Sequence, residues 1–453
     1  MFNRLILKDL EEWAKRSNRK PLILRGARQV GKTSVVEMFS NNFEQFISLN
    51  LDNPDELSLF RDDRSFADTL VAIFLYKNLP KSQKSILIFI DEIQQSPRAV
   101  NLLRYFYEET PDIFVIAAGS LLETLLDTHI SFPVGRVEYL MLHPCSFPEF
   151  LIACKEDVSL LILKEKPFPD FAHDKLLKLF RTYTLIGGMP EILSEFSKTN
   201  DIVTVSRVFD SLIVSYLDDV EKYARNESMS RVIRYLIRQT YYFASSRITF
   251  QGFGNSGYKS REVSEAFDVL QKAMLLHLVY PTMTIRLPTQ ENIKRSPKLQ
   301  LNDTGMVNYF AKLQKEIFGS QHIDDAYQGK IAEHIVGQEL KALGKSPLDK
   351  LLFWTREEKH SQAEIDFIRI FEDLIIPIEV KSGATGRLRS LHQFIEMANH
   401  NFAIRVYSGT LKAEKASTLK GKDFYLLSLP FYLVHQIDDY IRIFTNNPES
   451  LIR

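Results

Sequence analysis

The chain has little cysteine, no excess charge of either sign and no long hydrophobic run, and each shortage excludes a class. Only two cysteines occur, Cys145 and Cys154, without any C-x-x-C or Cys/His spacing. That excludes a disulfide scaffold and a zinc module, and the usage fits a reducing compartment. Lysine plus arginine number 57, and aspartate plus glutamate also 57. No global field therefore draws the protein to nucleic acid, and any such surface must be a local patch. No apolar run approaches the ~20 residues needed to cross a bilayer. The opening Met1–Leu7 meets Lys8, Asp9, Glu11 and Glu12 too early to hold a signal-peptide core. The expected location is cytoplasmic, with no membrane partner. Phenylalanine (32) and tyrosine (18) are plentiful but scattered, which suits core packing rather than a stacking platform. What is present, 45% hydrophobic and 25% charged residues over 453 positions, suits globular cores divided among about three or four domains.

The most informative segment is Gly26-Ala27-Arg28-Gln29-Val30-Gly31-Lys32-Thr33, which reads G-x-x-x-x-G-K-T and continues into Ser34. It follows the apolar run Pro21–Leu24 and precedes an amphipathic stretch from Thr33 to Phe39, the order strand, glycine loop, helix. Backbone N–H groups of such a loop wrap phosphate oxygens, and the helix N-terminus adds its partial positive charge. Lys32 can reach the β- and γ-phosphates, and Thr33 can offer its hydroxyl to Mg²⁺. The bland alternative, a chance glycine-rich turn, leaves the flanking strand and helix without a role.

A second apolar run, Ser85–Ile90, reads as a strand buried on both faces of a parallel sheet and ends in Asp91-Glu92. Asp91 is placed to hold Mg²⁺ through water, and Glu92 to polarise a water for attack on the γ-phosphate. A third run, Asp112–Ala118, leads into Gly119-Ser120. Ser120 is the candidate to sense the γ-phosphate or orient the water, and is equally a helix N-cap. A fourth strand at Val137–Leu142 follows Gly135-Arg136. Arg136 is a candidate arginine finger for a neighbouring subunit's nucleotide, or else a surface arginine.

Several segments together resemble a prokaryotic AAA-type (archaeal-ATPase-like) P-loop ATPase family: Leu22–Thr33, Ile90-Asp91-Glu92-Ile93-Gln94, Ala118-Gly119-Ser120, Gly135-Arg136, Pro144–Phe150 and Gly187-Gly188-Met189-Pro190. The resemblance implies ATP and Mg²⁺ as ligands and ATP hydrolysis. It also implies an ATPase module joined to a C-terminal domain of unknown function similar to restriction-endonuclease folds. It implies no established substrate.

Residues 1–150 are expected to form the ATPase core and 151–228 a helical lid. Helical apolar spacing over Asp174–Leu185 stops at Gly187-Gly188, and Pro190 restarts the chain. Residues 229–320 read as a winged-helix-like domain. Helices over Val232–Phe243 and after Ser260 are followed by strands at Leu276–Tyr280 and Lys298–Leu301. Lys259, Arg261, Lys294, Arg295 and Lys298 are its candidate phosphate contacts, while a wing used only for protein contacts fits as well.

Residues 325–453 begin with a helix, Ala326–Leu343, carrying Glu333. Strands follow at Lys350–Trp354, Ala363–Arg369 and Leu374–Lys381. Alternation puts Glu379 and Lys381 on one strand face. If the last two strands form a hairpin, Asp366 and Glu379 converge on one divalent metal, with Lys381 beside the scissile phosphate and Glu333 a further ligand. Hard carboxylate oxygens suit a second Mg²⁺ or Mn²⁺, which activates water. The pattern resembles the PD-(D/E)xK nuclease superfamily, with Ile365 where the motif has proline. Read without the resemblance, D…ExK is also what a solvated strand face looks like. The expected fold class is α/β: a P-loop NTPase parallel sheet with a helical lid, a winged-helix-like middle and a C-terminal restriction-endonuclease-like domain. The function predicted is a homo-oligomeric ATPase whose nucleotide state controls a nuclease-like module directed at DNA or RNA. The alternative is a regulatory nucleotide switch whose C-terminal domain binds nucleic acid or protein without cleavage.

Overall fold

A computed structural model of the chain describes residues 2–80, 85–119, 133–220, 224–312, 329–356, 363–383 and 388–451. It divides into two compact units. The first comprises Met1–His143, Lys272–Met274 and Lys345–Leu348, and the second Pro144–Gln271, Leu275–Gly344 and Asp349–Arg453. Among the described residues no helix is long and apolar enough to cross a membrane.

The first unit is built on strands β1 (Leu22–Arg25), β2 (Gln45–Asn50), β3 (Ile86–Asp91), β4 (Ile113–Gly119) and β5 (Glu138–Met141). They form one sheet in the order β2-β3-β4-β1-β5, and every neighbouring pair is parallel. The expected parallel sheet is present, and β3 is buried at every position, as a strand covered on both faces must be. Alternation sorts its side chains. Ile88 and Ile90 join Ile23, Val115 and Ala117 against helices Phe66–Tyr76 and Pro97–Glu109. Leu87 and Phe89 join Leu22, Leu24, Ile116 and Ala118 against helices Leu7–Ala14 and Lys32–Ser40. Strand β4 separates β1 from β3, and the N–H of Met141 on β5 donates to the carbonyl of Lys345 at 2.9 Å.

In the second unit helix His173–Ile186 stops at Gly187, where φ is 76°. The N–H of Gly188 donates to Asp303 at 2.6 Å, and the N–H of Cys145 donates to the carbonyl of Gly188 at 2.7 Å. Asp303 also caps helix Thr304–Phe310 by accepting from the N–H of Met306 at 3.0 Å. The Gly-Gly-Met-Pro segment, legible as a helix stop, is therefore also a packing point for two distant segments. Burial pushes the Asp303 carboxyl up to about 6, its amide donors opposing that rise.

Strands β6 (Leu276–Val279) and β8 (Lys298–Leu301) pair antiparallel. The short β7 (Pro281–Thr282) between them joins a seven-stranded sheet in the order β13-β14-β12-β11-β10-β9-β7. Its other members are β9 (Leu352–Thr355), β10 (Glu364–Phe371), β11 (Leu374–Val380), β12 (Phe402–Tyr407), β13 (Lys412–Ser417) and β14 (Asp423–Pro430). Helix Lys330–Ala342 precedes β9, and helix Arg389–Met397 lies between β11 and β12. Strands β9, β10 and β11 are antiparallel neighbours, whereas β11 and β12 run parallel.

Glu339, on helix Lys330–Ala342, is almost fully buried. The Tyr183 hydroxyl lies 2.6 Å from its Oε1 and 2.8 Å from the Cys145 carbonyl, and the Phe147 N–H donates to Oε1 at 3.0 Å. A hydroxyl has one proton. Donated to the Cys145 carbonyl, it leaves the Glu339 contact to a protonated carboxyl, in keeping with burial that pushes this group up to about 8. Its folded-state pKa is thus raised above the unfolded value. The folded chain keeps this proton while the unfolded chain releases it, so stability falls as pH rises toward 8. Glu339→Gln stays neutral throughout. Its Tm minus that of the parent is expected to increase from pH 6 to pH 9 in thermal unfolding; a constant difference would remove Glu339 from the pH dependence.

Candidate nucleotide site and C-terminal carboxylate cluster

Strand β1 is buried throughout and leads directly into the glycine loop. A Cβ on Gly26 would overlap the carbonyl oxygen of Leu142, so the loop begins where no side chain fits. Gln29 (φ 64°) and Gly31 (φ 92°) are left-handed, and such residues curl a backbone so that successive N–H groups form an anion-binding concavity. Helix Lys32–Ser40 starts at once after Gly31. Gly26, Ala27, Arg28, Gln29, Val30, Gly31, Lys32, Thr33 and Ser34 are thus one strand–loop–helix turn.

Lys32 is buried, and its ammonium donates to the carbonyls of Gly26 at 3.0 Å and Ala27 at 2.9 Å. Burial lowers its pKa, while Glu92 and Asp91 work to keep it charged. The Thr33 hydroxyl donates to Asp91 Oδ2 at 2.6 Å. Asp91 ends β3, and its Oδ1 accepts from the N–H of Glu92 at 3.0 Å. Glu92 takes a left-handed conformation at φ 50° and contacts the Gln94 amide. Burial raises its carboxyl above the usual range; Asp91 adds to that, and the Gln94 contact and Lys32 oppose it.

These groups fit a nucleoside triphosphate with magnesium. A hydroxyl and a carboxylate already converge as hard oxygen donors, beside a lysine and a loop that suits phosphate. Bound magnesium would neutralise charge developing on the phosphates. The chain's own groups would do the rest: the loop and Lys32 would bind phosphate, Thr33 and Asp91 would hold the ion, and Glu92 would accept a proton from water.

Ser120 lies outside the described residues, one position beyond the end of β4. Arg136 precedes β5, and the parallel register Leu22↔Glu138 puts it at the sheet end opposite the glycine loop. It is exposed and pairs with Glu108 at the end of helix Pro97–Glu109. It therefore does not meet its own chain's phosphate loop.

The C-terminal candidates do come together. The β10–β11 hairpin, with Phe367 opposite Ile378, sets the Asp366 Oδ2 to accept from the N–H of Val380 at 2.8 Å, next to Glu379. Lys381 pairs with Glu379 Oε1 at 2.7 Å on the same strand face. Burial, then the neighbouring Asp366, raises the Glu379 carboxyl to about 7, and its Oε2 is buried without a hydrogen-bond partner. Glu333 approaches from helix Lys330–Ala342, but a lysine reaches it first. The Lys298 ammonium lies 2.6 Å from Glu333 Oε1, 2.7 Å from Glu364 Oε1 and 3.5 Å from Asp366 Oδ1.

Lys298 is thus corrected from a candidate phosphate contact to an interior ion-pair member, its side chain only 7% exposed. Lys259, Arg261, Lys294 and Arg295 are exposed. Among the described residues no group of three or more His, Cys, Asp or Glu side chains is arranged to hold a metal ion. The cluster as constituted does not fit the second Mg²⁺ or Mn²⁺, because an ammonium fills it. Sequence reasoning missed Glu364 and the place of Lys298 among the carboxylates. Alternation along β10 could have found Glu364, which shares a face with Asp366.

Comparison with known proteins agrees with the loop. Residues 18–151 match the family described as an AAA domain. That region is similar to AAA-type P-loop ATPase domains. Residues 177–317 and 328–431 match two domains of unknown function, DUF8612 and DUF4143. Among solved structures, a Walker-type ATPase of Pyrococcus abyssi is 16% identical over 69% of this chain and 96% of that one, with a TM-score of 0.43. Drosophila ORC bound to DNA is 16% identical over 69% and 95%, with a TM-score of 0.26. Pif1 helicase from Bacteroides, in complex with ADP-AlF3 and ssDNA, is 18% identical over 37% and 51%, with a TM-score of 0.23. No curated protein matches the chain.

Proposed function

We propose that the AAA-type domain binds ATP with Mg²⁺ and hydrolyses it, and that its nucleotide state controls a nuclease-like module in the second unit. The carrying observation is the Thr33–Asp91 contact at 2.6 Å, with Lys32 and Glu92 beside it. Glu92 acts as the base. Arg136, exposed and away from its own loop, serves a neighbouring copy in a homo-oligomer; Ser120 orients the water. The helix, three strands, helix, strand order around β9–β12 supports a PD-(D/E)xK-like reading, as does the grouping of Asp366, Glu379 and Lys381. The β6–β8 pair after helix Ser260–Lys272 supports a winged helix, and exposed Lys259, Arg261, Lys294 and Arg295 supply its contacts to DNA or RNA phosphates.

Lys298 in the carboxylate cluster favours the second form of this reading, in which the module binds nucleic acid without cutting it. The test is hydrolysis of ATP with Mg²⁺ by purified protein in the presence of a nucleic-acid panel. Lys32→Ala is expected to lose ATP binding and turnover together. Hydrolysis that survives Lys32→Ala would sink the ATPase assignment. Cleavage abolished by Asp366→Ala and Lys381→Ala would restore the nuclease form.

A further inference from the structure

We propose that Lys298 is the resident cation of the C-terminal carboxylate cluster and excludes a divalent ion from it. This goes beyond the ATPase reading, and either can fail alone.

The ammonium has three N–H bonds and three carboxylates around it, from a helix (Glu333) and a strand (Glu364 and Asp366). Oxygens at 2.6 and 2.7 Å are spaced for N–H donors, whereas Mg²⁺ draws its ligands to about 2.0–2.1 Å. Three further oxygens are engaged as well, while Glu379 Oε2 is buried without a hydrogen-bond partner. Arg247 takes Glu364 Oε2 at 2.9 Å, the N–H of Val380 takes Asp366 Oδ2 at 2.8 Å, and Lys381 takes Glu379 Oε1 at 2.7 Å. Four carboxylates, Glu333, Glu364, Asp366 and Glu379, thus face three cations, Lys298, Arg247 and Lys381. Little uncompensated charge is left to attract a dication, and a buried cation is costly to leave without its partners.

The lysine is also held in place. Its backbone is in register with Val279 on β6 and makes a β-bridge to Arg247. The Phe353 ring on β9 lies under both cations, 4.9 Å from Lys298 Nζ and 5.1 Å from Arg247 Cζ. The carboxylates keep Lys298 charged against the opposing effect of burial, and burial raises the Glu333 carboxyl while Lys298 opposes that rise.

The probe is Mn²⁺ alone, titrated into the full chain carrying Asp91→Asn so that the nucleotide site contributes no ligand. Bound ion is read by electron paramagnetic resonance and Tm by thermal unfolding. The Asp91→Asn parent is expected to hold no Mn²⁺ up to about 1 mM. Lys298→Met is expected to gain one Mn²⁺, lose it again with Asp366→Asn, and show a Tm that rises with Mn²⁺. Mn²⁺ bound by the parent and lost with Asp366→Asn overturns the proposal, as does a folded Lys298→Met that binds none. If Lys298→Met does not fold, the parent titration decides: no ion supports the resident lysine, and an Asp366-dependent ion refutes it.

Discussion

Glu92→Gln is expected to leave ATP affinity within about twofold of the parent and to cut turnover by about 10²–10⁴-fold, the range for removing a general base. The substitution keeps shape and the amide-side contact to Gln94, so the loop, Lys32 and the Thr33–Asp91 pair are undisturbed. What it removes is the proton acceptor. The left-handed turn at Glu92 lets the chain change direction immediately after β3, which sets its carboxylate beside Asp91 rather than further along the strand. Burial raises the Glu92 pKa. The parent should therefore lose kcat/KM as pH falls, with an acid limb above the ordinary carboxylate range, because the protonated form accepts nothing. Fluorescent-nucleotide binding and steady-state phosphate release separate the two effects. Equal rates for parent and variant would take Glu92 out of the mechanism.

Gly188→Ala is expected to destabilise the second unit by about 3 kcal/mol or more, at the severe end for one added methyl group. A Cβ there overlaps the Cys145 carbonyl oxygen and crowds that residue's backbone. Neither partner can give way cheaply. The Cys145 N–H and Gly188 carbonyl are bonded at 2.7 Å, and the Gly188 N–H is bonded to buried Asp303 at 2.6 Å. Moving the two segments apart would leave buried polar groups unsatisfied. Gly257→Ala is the control, since a Cβ there meets nothing within 4 Å, and it should stay within about 0.5 kcal/mol of the parent. Urea unfolding of the full chain measures both. Matching midpoints for the two variants would show that the crowding at Gly188 relaxes.

What could be read in advance follows from range along the chain. β1, β3 and β4 were legible because buried parallel strands are continuous apolar runs punctuated by the loop and by Asp91-Glu92. β2, Gln45–Asn50, was not, because at the sheet edge it is only alternately buried. Asp366, Glu379 and Lys381 share a hairpin, so period-two alternation alone brings them close. Lys298 lies 35 residues from Glu333, and Gly188 lies 115 from Asp303. No local pattern encodes either pairing. A basic residue in a polar stretch reads as solvated until the fold shows carboxylates around it.

The Met141–Lys345 hydrogen bond bears on how the protein is made. β5 is the outermost strand of the first sheet, and the partner that engages its backbone emerges from the ribosome some two hundred residues later. Through that interval the nascent sheet carries an open edge, the kind that recruits strands from other chains. Lys345 also pairs with Asp9, so one late segment touches both the start and the rim of the earliest domain. A gene fragment cut at the end of the AAA-domain match would encode every residue of the glycine loop and of β3, yet leave that rim permanently uncovered.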